Sequence, residues 1–406
     1  MREKTVCVVG LGYIGLPTAA LLASTGFEVI GVDLNAHAVE TINQGRIHIV
    51  EPDLDAYVRS AVAAGRLKAW AQPQAADIYM ICVPTPFHPG EGIPQPNIDH
   101  VLAATASIAG LVKAGDLVIL ESTSPVGTTG KIAEVLRLAC VDMAQVHVAY
   151  CPERVLPGKI MTELVENDRV VGGLTPEATT AVSAFYRTFV RGAVLETDAA
   201  TAEMCKLTEN SYRDVNIAFA NELSLLCAKS GINVWQLIKL ANRHPRVNIL
   251  QPGTGVGGHC IAVDPWFIVA SDPDNARIIR TAREVNNHKT EWVIDQIKIA
   301  VADASARTGR KPKVACLGLA FKPDIDDLRE SPAVHVGTAL QAQGYDVVAV
   351  EPNIQSHDKF ALVTLEDALE SADVVAILVK HRQFIPLASA GELNRIGVLD
   401  FCGVKE

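Results

Sequence analysis

The chain has 406 residues, 49% of them hydrophobic and 20% charged, with a formal net charge of −10. That length exceeds one ordinary core and points to two or three domains of a well-packed globular enzyme. The acidic balance argues against sequence-independent nucleic-acid binding, which needs a basic surface, although it leaves room for a local phosphate pocket. No segment offers the ~18 unbroken apolar residues of a membrane helix. Nine cysteines without a CxxC pair suggest neither a disulfide framework nor a zinc ribbon. The expected compartment is the cytoplasm, with no nucleic-acid partner, no membrane partner and no metal.

The first apolar run has the outline of a signal peptide. Gly10, Gly12, Gly15 and Pro17 punctuate it, however, and a second strand follows, so it reads as strand, turn and helix. Residues 5–10 form the strand, 13–25 the helix and 28–33 the next strand. Short apolar strands are expected at 77–83, 116–121 and 146–150, with helices between them. This alternation implies a parallel sheet covered on both faces. From about 176 to 245 the pattern turns helical, and residues 201–230 contain no proline or glycine. Strand signals return at 314–321, 345–351 and 373–379. The expected fold is α/β: two Rossmann-like, doubly wound domains joined by a helical central domain with a long helix. Its boundaries are 1–175 for the N-terminal dinucleotide domain, 176–300 for the central domain and 311–406 for the C-terminal α/β domain.

Gly10-Leu11-Gly12-Tyr13-Ile14-Gly15 matches GxGxxG, and Asp33 ends the next strand 18 residues after Gly15. The motif alone is weak. In this strand–turn–helix context it is a dinucleotide fingerprint. Gly10 permits the tight turn, Gly12 lets the backbone approach a pyrophosphate, and Gly15 allows helix and strand to pack closely. Asp33 would accept hydrogen bonds from the adenosine ribose and repel a 2′-phosphate, so NAD is expected over NADP. Thr85 and Thr123 each follow a strand end, where an open α/β sheet forms its ligand crevice, although ordinary turn chemistry explains them nearly as well.

Between residues 253 and 258 four of six residues are glycine, which permits close approach to a ligand, and Cys260 follows at the expected start of a short helix. A helix N-terminus favours the nucleophilic thiolate. Asp264, four residues on, would share its helical face and orient a water or move a proton. Position alone leaves a buried structural thiol equally good. Lys206, Asn210 and Arg213 are spaced as one helical stripe. Such stripes are usually solvated, but this one lies in an apolar-rich segment that fits a pocket wall. A lysine and an amide there can donate to an oxyanion.

GLGYIGLP, VPTPF, ESTSPVGT, YCPERVLPG, AEMCKLTEN and GVGGHCIAVDPWF occur in this order. Together they resemble the nucleotide-sugar 6-dehydrogenases, over essentially the whole chain. Members act on UDP-glucose, GDP-mannose and UDP-N-acetylhexosamines. The segments 206–224, 232–267 and 321–333 are most similar to members that take UDP-N-acetyl-D-mannosamine, with UDP-N-acetylglucosamine and UDP-glucose as the alternatives. The resemblance implies Cys260 as nucleophile and Lys206, with Asn210 beside it, as oxyanion donor or proton shuttle. It implies that Glu153 and Thr123 lie near the reacting carbon and its water. Arg154, Val155, Arg213, His244, Arg246 and Gly257 would contact substrate, while Phe321, Lys322 and Arg329 would hold the nucleotide half, with Arg329 also serving the cofactor. The implied reaction is a four-electron oxidation at C6 using two NAD, through a thiohemiacetal and a thioester on Cys260. Members form homodimers or higher oligomers on the long helix. Two rivals remain: a two-electron 3-hydroxyacid dehydrogenase, which would not need the glycine–cysteine loop, and a non-catalytic NAD-binding regulator, which would not need Cys260, Lys206 and Asn210 together.

Overall fold

The computed structural model describes residues 4–405 apart from 259, 390, 392 and 394–396. The chain forms two compact units, residues 1–209 and 210–406.

The first unit begins β1 (Thr5–Val9), α1 (Gly15–Ser24), β2 (Glu28–Val32), α2 (Ala36–Asn43), α3 (Leu54–Ala63) and β3 (Leu67–Trp70). It continues β4 (Ile78–Ile81), α4 (Asp99–Ala109), β5 (Leu117–Leu120), α5 (Thr128–Leu138) and β6 (His147–Tyr150). Then come α6 (Ile160–Glu166), β7 (Arg169–Gly173), α7 (Pro176–Tyr186) and β8 (Val194–Asp198). The strand order is β3-β2-β1-β4-β5-β6-β7-β8. Its first six strands are parallel, in the dinucleotide-fold order, and β7 turns antiparallel to β6. Separate apolar clusters fill the two faces, one around Leu16, Phe27 and Phe185, the other around Tyr79, Ile108 and Tyr150. Burial on both faces is why β4 and β5 read as continuous apolar runs.

The sheet continues to Asp198, beyond residue 175, where the sequence pattern suggested its end. β8 went unseen because its residues are half-buried or exposed at the sheet edge, without a hydrophobic signal. β3 and β7 are short strands of the same sheet that the pattern also passed over.

α8 (Ala199–Ser230) carries the chain from the first unit into the second. Its 32 residues span about 48 Å at 1.5 Å per residue. Within the first unit Glu203 anchors it: the buried carboxylate accepts from Gly127 N (2.6 Å), Thr129 N (2.8 Å) and Thr129 Oγ1 (2.6 Å), capping the start of α5.

The second unit adds α9 (Val234–Ala241), α10 (Asp264–Ser271), α11 (Arg277–Thr308), β9 (Lys313–Leu317), α12 (Pro332–Ala342) and β10 (Asp346–Val350). It ends with α13 (Leu365–Ser371), β11 (Val374–Ile377), α14 (Pro386–Ser389) and β12 (Val398–Asp400). Its parallel sheet, β10-β9-β11-β12, is again buried on both faces. A buried polar ladder joins α8 to α11. Asp214 pairs with Arg283 at 2.7 Å and accepts from Asn286, Asn286 accepts from Asn221, and Lys289 donates to Ser224. On the outer side of α8, Tyr212, Phe219 and Leu226 are 70%, 54% and 56% exposed at intervals of seven residues.

Removing the Glu203 carboxylate strands three donors, two of them helix N-terminal amides. Glu203→Ala is therefore expected to destabilise the protein by about 2 kcal/mol. Chemical denaturation checks this; an unchanged midpoint would show that solvent replaces the cap.

Candidate active site

β1 ends against the fingerprint turn. Gly10 has φ +93°, and a Cβ there would lie 2.6 Å from the Cys82 carbonyl oxygen. A Cβ on Gly15 would lie 1.8 Å from the Gly10 oxygen. Those two glycines are required by packing. Gly12 is different: a Cβ there would meet nothing within 4 Å, so this part of the turn faces open space. Tyr13 and Ile14 lead into α1, whose N-cap position, Ile14, makes no side-chain capping bond. Asp33, just past β2, accepts from Leu11 N (2.9 Å) and Asn35 N (2.8 Å), which fixes the carboxylate on the turn. Open backbone, an uncapped helix start and a fixed carboxylate fit NAD, with the phosphates at Gly12 and α1 and the ribose at Asp33. Thr85 Oγ1 donates to the Thr123 carbonyl at 2.6 Å and joins the loops that follow β4 and β5.

After β6 the chain reaches Glu153, which is 6% exposed. It pairs with Arg169 of β7 at 2.6 Å and accepts from Arg154 N at 2.7 Å. Arg154 turns its guanidinium to Glu209 of α8 (2.7 Å) and to the Asp168 carbonyl (3.0 Å). Val155 packs on the apolar cluster beneath. Lys206 is half-buried on α8, one turn before Asn210.

In the second unit Asn210 donates to Asp264, and both are buried. Asp264 N bonds the Cys260 carbonyl at 2.8 Å, and Val263 N bonds it at 3.0 Å. Cys260, half-buried, therefore stands in a turn one helical step ahead of α10, not at the helix start that the sequence suggested. The cause is Pro265, which is tolerated only in the first turn and so sets the helix start at Asp264. The i to i−4 bond still keeps Asp264 in register with Cys260.

The glycines before Cys260 also serve another purpose than the expected approach of a ligand. A Cβ on Gly255 would lie 2.3 Å from Thr290 Oγ1, and one on Gly257 would lie 2.5 Å from the Glu330 oxygen and 2.7 Å from Phe321 Cβ. Gly258 N donates to the Arg329 carbonyl at 3.0 Å. The loop is clamped between α11 and the segment after β9, while Gly253 faces open space. Asn221 accepts from Gly253 N (3.0 Å), and Thr290 donates to the Thr254 carbonyl (3.0 Å), so the α8–α11 ladder holds the loop leading to Cys260.

Phe321 and Lys322, both half-buried, and Arg329 follow β9, at the carboxyl edge of the second sheet. Arg329 is held by Asp327 (Nε 2.9 and 3.0 Å). Arg213, His244 and Arg246 are exposed on the second unit. Sequence reasoning missed Glu351, which lies just past β10 and accepts from Leu319 N (2.7 Å), Ala320 N (3.0 Å) and His381 (3.0 Å). This repeats the Asp33 arrangement: Gly318 has φ +91°, and a carboxylate from the neighbouring strand ties down the turn. The acid ending YDVVAVE, parallel to that ending EVIGVD, was the available signal. Among the described residues no group of three or more His, Cys, Asp or Glu could hold a metal, and no helix is long and apolar enough to cross a membrane.

The fold and turn define a dinucleotide-dependent oxidoreductase. Residues 4–190, 200–288 and 315–400 match the NAD binding, central and UDP binding domains of the UDP-glucose/GDP-mannose dehydrogenase family. The chain is 58% identical to UDP-N-acetyl-D-mannosamine dehydrogenase of Escherichia coli (strain K12), covering 100% of both chains. It is 55% identical to NDP-N-acetyl-D-galactosaminuronic acid dehydrogenase of Ralstonia nicotianae, covering 99% of this chain and 96% of that one. It also superposes on the UDP-N-acetyl-mannosamine dehydrogenase structure from S. aureus with a TM-score of 0.88 and 41% identity, over 98% of this chain and 95% of that one. The chain belongs to the UDP-glucose/GDP-mannose dehydrogenase family, is an NAD-dependent dehydrogenase, and carries the Rossmann-like N- and C-terminal domains and helical centre expected of it.

Asp33→Ser should narrow the preference for NAD over NADP by roughly tenfold or more, since about 1.4 kcal/mol of charge repulsion suffices for that. The ratio of kcat/KM values for the two cofactors measures it. An unchanged ratio would remove Asp33 from the ribose site.

Proposed function

We propose that this chain oxidises C6 of UDP-N-acetyl-D-mannosamine to the carboxylate, through a thioester on Cys260, in the synthesis of a cell-surface polysaccharide. The observation that carries the reading is the Cys260 turn, with Asp264 bonded both to its backbone and to Asn210. The 58% relatives support the sugar. The Ralstonia relative favours a second reading, a different N-acetylhexosamine.

When bound, NAD supplies the hydride acceptor, and two are consumed because alcohol to carboxylate is a four-electron change. The chain's own groups do the rest. The Cys260 thiolate adds to the C6 aldehyde, while Lys206 and Asn210 donate to the oxygen as it gains charge. The carbon–sulfur bond persists through the second oxidation and leaves a thioester. Water attacks that carbonyl, Asp264 or Glu153 takes the water's proton, and the thiolate departs. Asp264 holds Asn210 and the turn, and Thr123 lines the crevice. Arg154, Val155, Arg213, His244, Arg246 and Gly257 contact the sugar nucleotide, whose UDP half lies at Phe321, Lys322 and Arg329. The division of labour follows domains of 1–175, 176–300 and 311–406, except that the sheet strands as far as Asp198 belong with the first. A catalytic cysteine suits the reducing cytoplasm.

The chain also acts as a homodimer in this reading. Residues seven apart share one face of α8, so Tyr212, Phe219 and Leu226 form an exposed apolar stripe suited to a second copy. Phe219→Glu is expected to yield monomers in sedimentation velocity; a wild type that sediments as a monomer would refute the dimer.

The wild type should form two NADH per UDP-N-acetyl-D-mannosamine and release little aldehyde. A higher kcat/KM with its C2 or C4 epimer would reassign the sugar. Cys260→Ala should retain at most slow aldehyde formation, and Cys260→Ser should accumulate a sugar ester detectable at residue 260 by mass spectrometry. Carboxylate formation at the normal rate in Cys260→Ala would sink the thioester route.

A further inference from the structure

Three loops at the carboxyl edge of the second sheet meet on one imidazole. His381, in the turn after β11, is fully buried. Its Nδ1 accepts from Asp324 N at 2.9 Å, in the segment after β9, and Asn353 Nδ2, after β10, lies 3.2 Å from the same atom. Its Nε2 lies 3.0 Å from Glu351 Oε2. That oxygen also takes the Leu319 and Ala320 amides, while Oε1 takes Asn353 N and Nδ2 at 3.0 Å each. A backbone amide can only donate, so Nδ1 carries no proton and the Nε2–H donates to Glu351. Burial works to raise the Glu351 carboxyl, but the His381 bond and the Leu319 amide hold it below its ordinary value, so it remains an acceptor.

The bond to Asp324 fixes an unusual piece of backbone. Asp324 has φ +62°, a conformation uncommon for residues other than glycine, and its carboxylate accepts from Arg382 N at 3.0 Å. It stands two residues past Lys322, in a segment closed on itself by Phe321 N to the Asp327 carbonyl (3.1 Å) and by Ser331 Oγ to the Leu319 carbonyl (2.6 Å). His381 therefore grips the middle of that closed loop. The glycine loop before Cys260 has ties of its own. Thr254 Oγ1 donates to the Leu378 carbonyl at 2.6 Å, and the α8–α11 ladder holds Gly253 and Thr254.

We propose that His381 is a positioning residue for the nucleotide half of the substrate: its Nδ1 holds the middle of segment 319–331, and with it Phe321, Lys322 and Arg329, in the binding arrangement. The role needs the Nε2–H tautomer, because a proton on Nδ1 would oppose the Asp324 amide. The placement of the nucleotide rests on the function proposed above; the tautomer and the grip on the segment do not.

Two amide substitutions separate the two nitrogens. Asparagine sets its carbonyl oxygen near the place of Nδ1 and keeps an acceptor for Asp324 N. Glutamine reaches the place of Nε2, keeps the donor to Glu351, and leaves the Asp324 amide unpaired. His381→Gln should weaken UDP binding about tenfold in isothermal titration calorimetry of the whole protein. It should raise KM for the sugar nucleotide by a similar factor with kcat within about twofold, since the Cys260 loop keeps its own ties. His381→Asn should bind UDP within about threefold of the wild type. A merely structural imidazole predicts equal losses, so equal UDP affinities in the two variants overturn the proposal.

The wild type offers a test that needs no variant. In protein labelled at aspartate and histidine nitrogen, nuclear magnetic resonance should show a scalar coupling across the hydrogen bond from the Asp324 amide to an imidazole nitrogen without a proton. A protonated His381 Nδ1 overturns the proposal. A wild type that does not bind UDP overturns both the proposal and the nucleotide placement on which it rests. If the UDP contrast appears but no UDP-N-acetylhexosamine is oxidised, the positioning role stands and the assigned reaction fails.

Discussion

Parallel strand pairing is the constraint on which the rest of this structure depends. Consecutive parallel strands require crossovers, the crossovers cover both faces, and strands buried on both faces have no room for polar side chains. Chemistry is left to the loops at the carboxyl edge. Gly10, Asp33, Thr85, Thr123 and Glu153 all follow strand ends in the first sheet, and Gly318, Phe321 and Glu351 do so in the second. The same constraint, applied twice, makes two turns of one design, each tied by a carboxylate from the adjacent strand.

Burying those edges creates unpaired backbone groups, and the chain meets them with carboxylates. Glu203 caps α5, Glu51 accepts from Gly158 N and Ile160 N at the start of α6, and Glu351 takes two amides after β9. The cost is desolvation. Burial raises the Glu203 carboxyl despite three donors, whereas the bonds from His381 and two amides outweigh it at Glu351, which is lowered. Between α8 and α11 Lys289 has no neutralising carboxylate among the described residues: desolvation brings it down to about 7, with Ser224 as its hydrogen-bond partner. That ladder leads to Gly253 and Thr254, so the rigidity of two long helices is passed to the loop before Cys260.

The sequence by itself determined the α/β plan, both nucleotide-type turns' strands, the long helix and the cofactor, because these depend on local periodicity and on glycines within one turn of a strand. It also singled out Cys260, Asp264, Lys206 and Asn210, whose spacing is meaningful within a single segment. It could not show β8, whose pairing comes from a neighbour and not from its own apolar pattern; the start of α10 at Asp264, by contrast, was legible in Pro265. Only the tertiary structure decided that Gly255 and Gly257 are required by Thr290 and by the segment after β9, and that Glu153 pairs with Arg169 in a buried site. Glu153 and Arg169 come from separate segments, the loop after β6 and β7 itself, and carry no common motif. Their chemistry arises from shared desolvation and charge, and those are properties of a folded interior that no segment possesses alone.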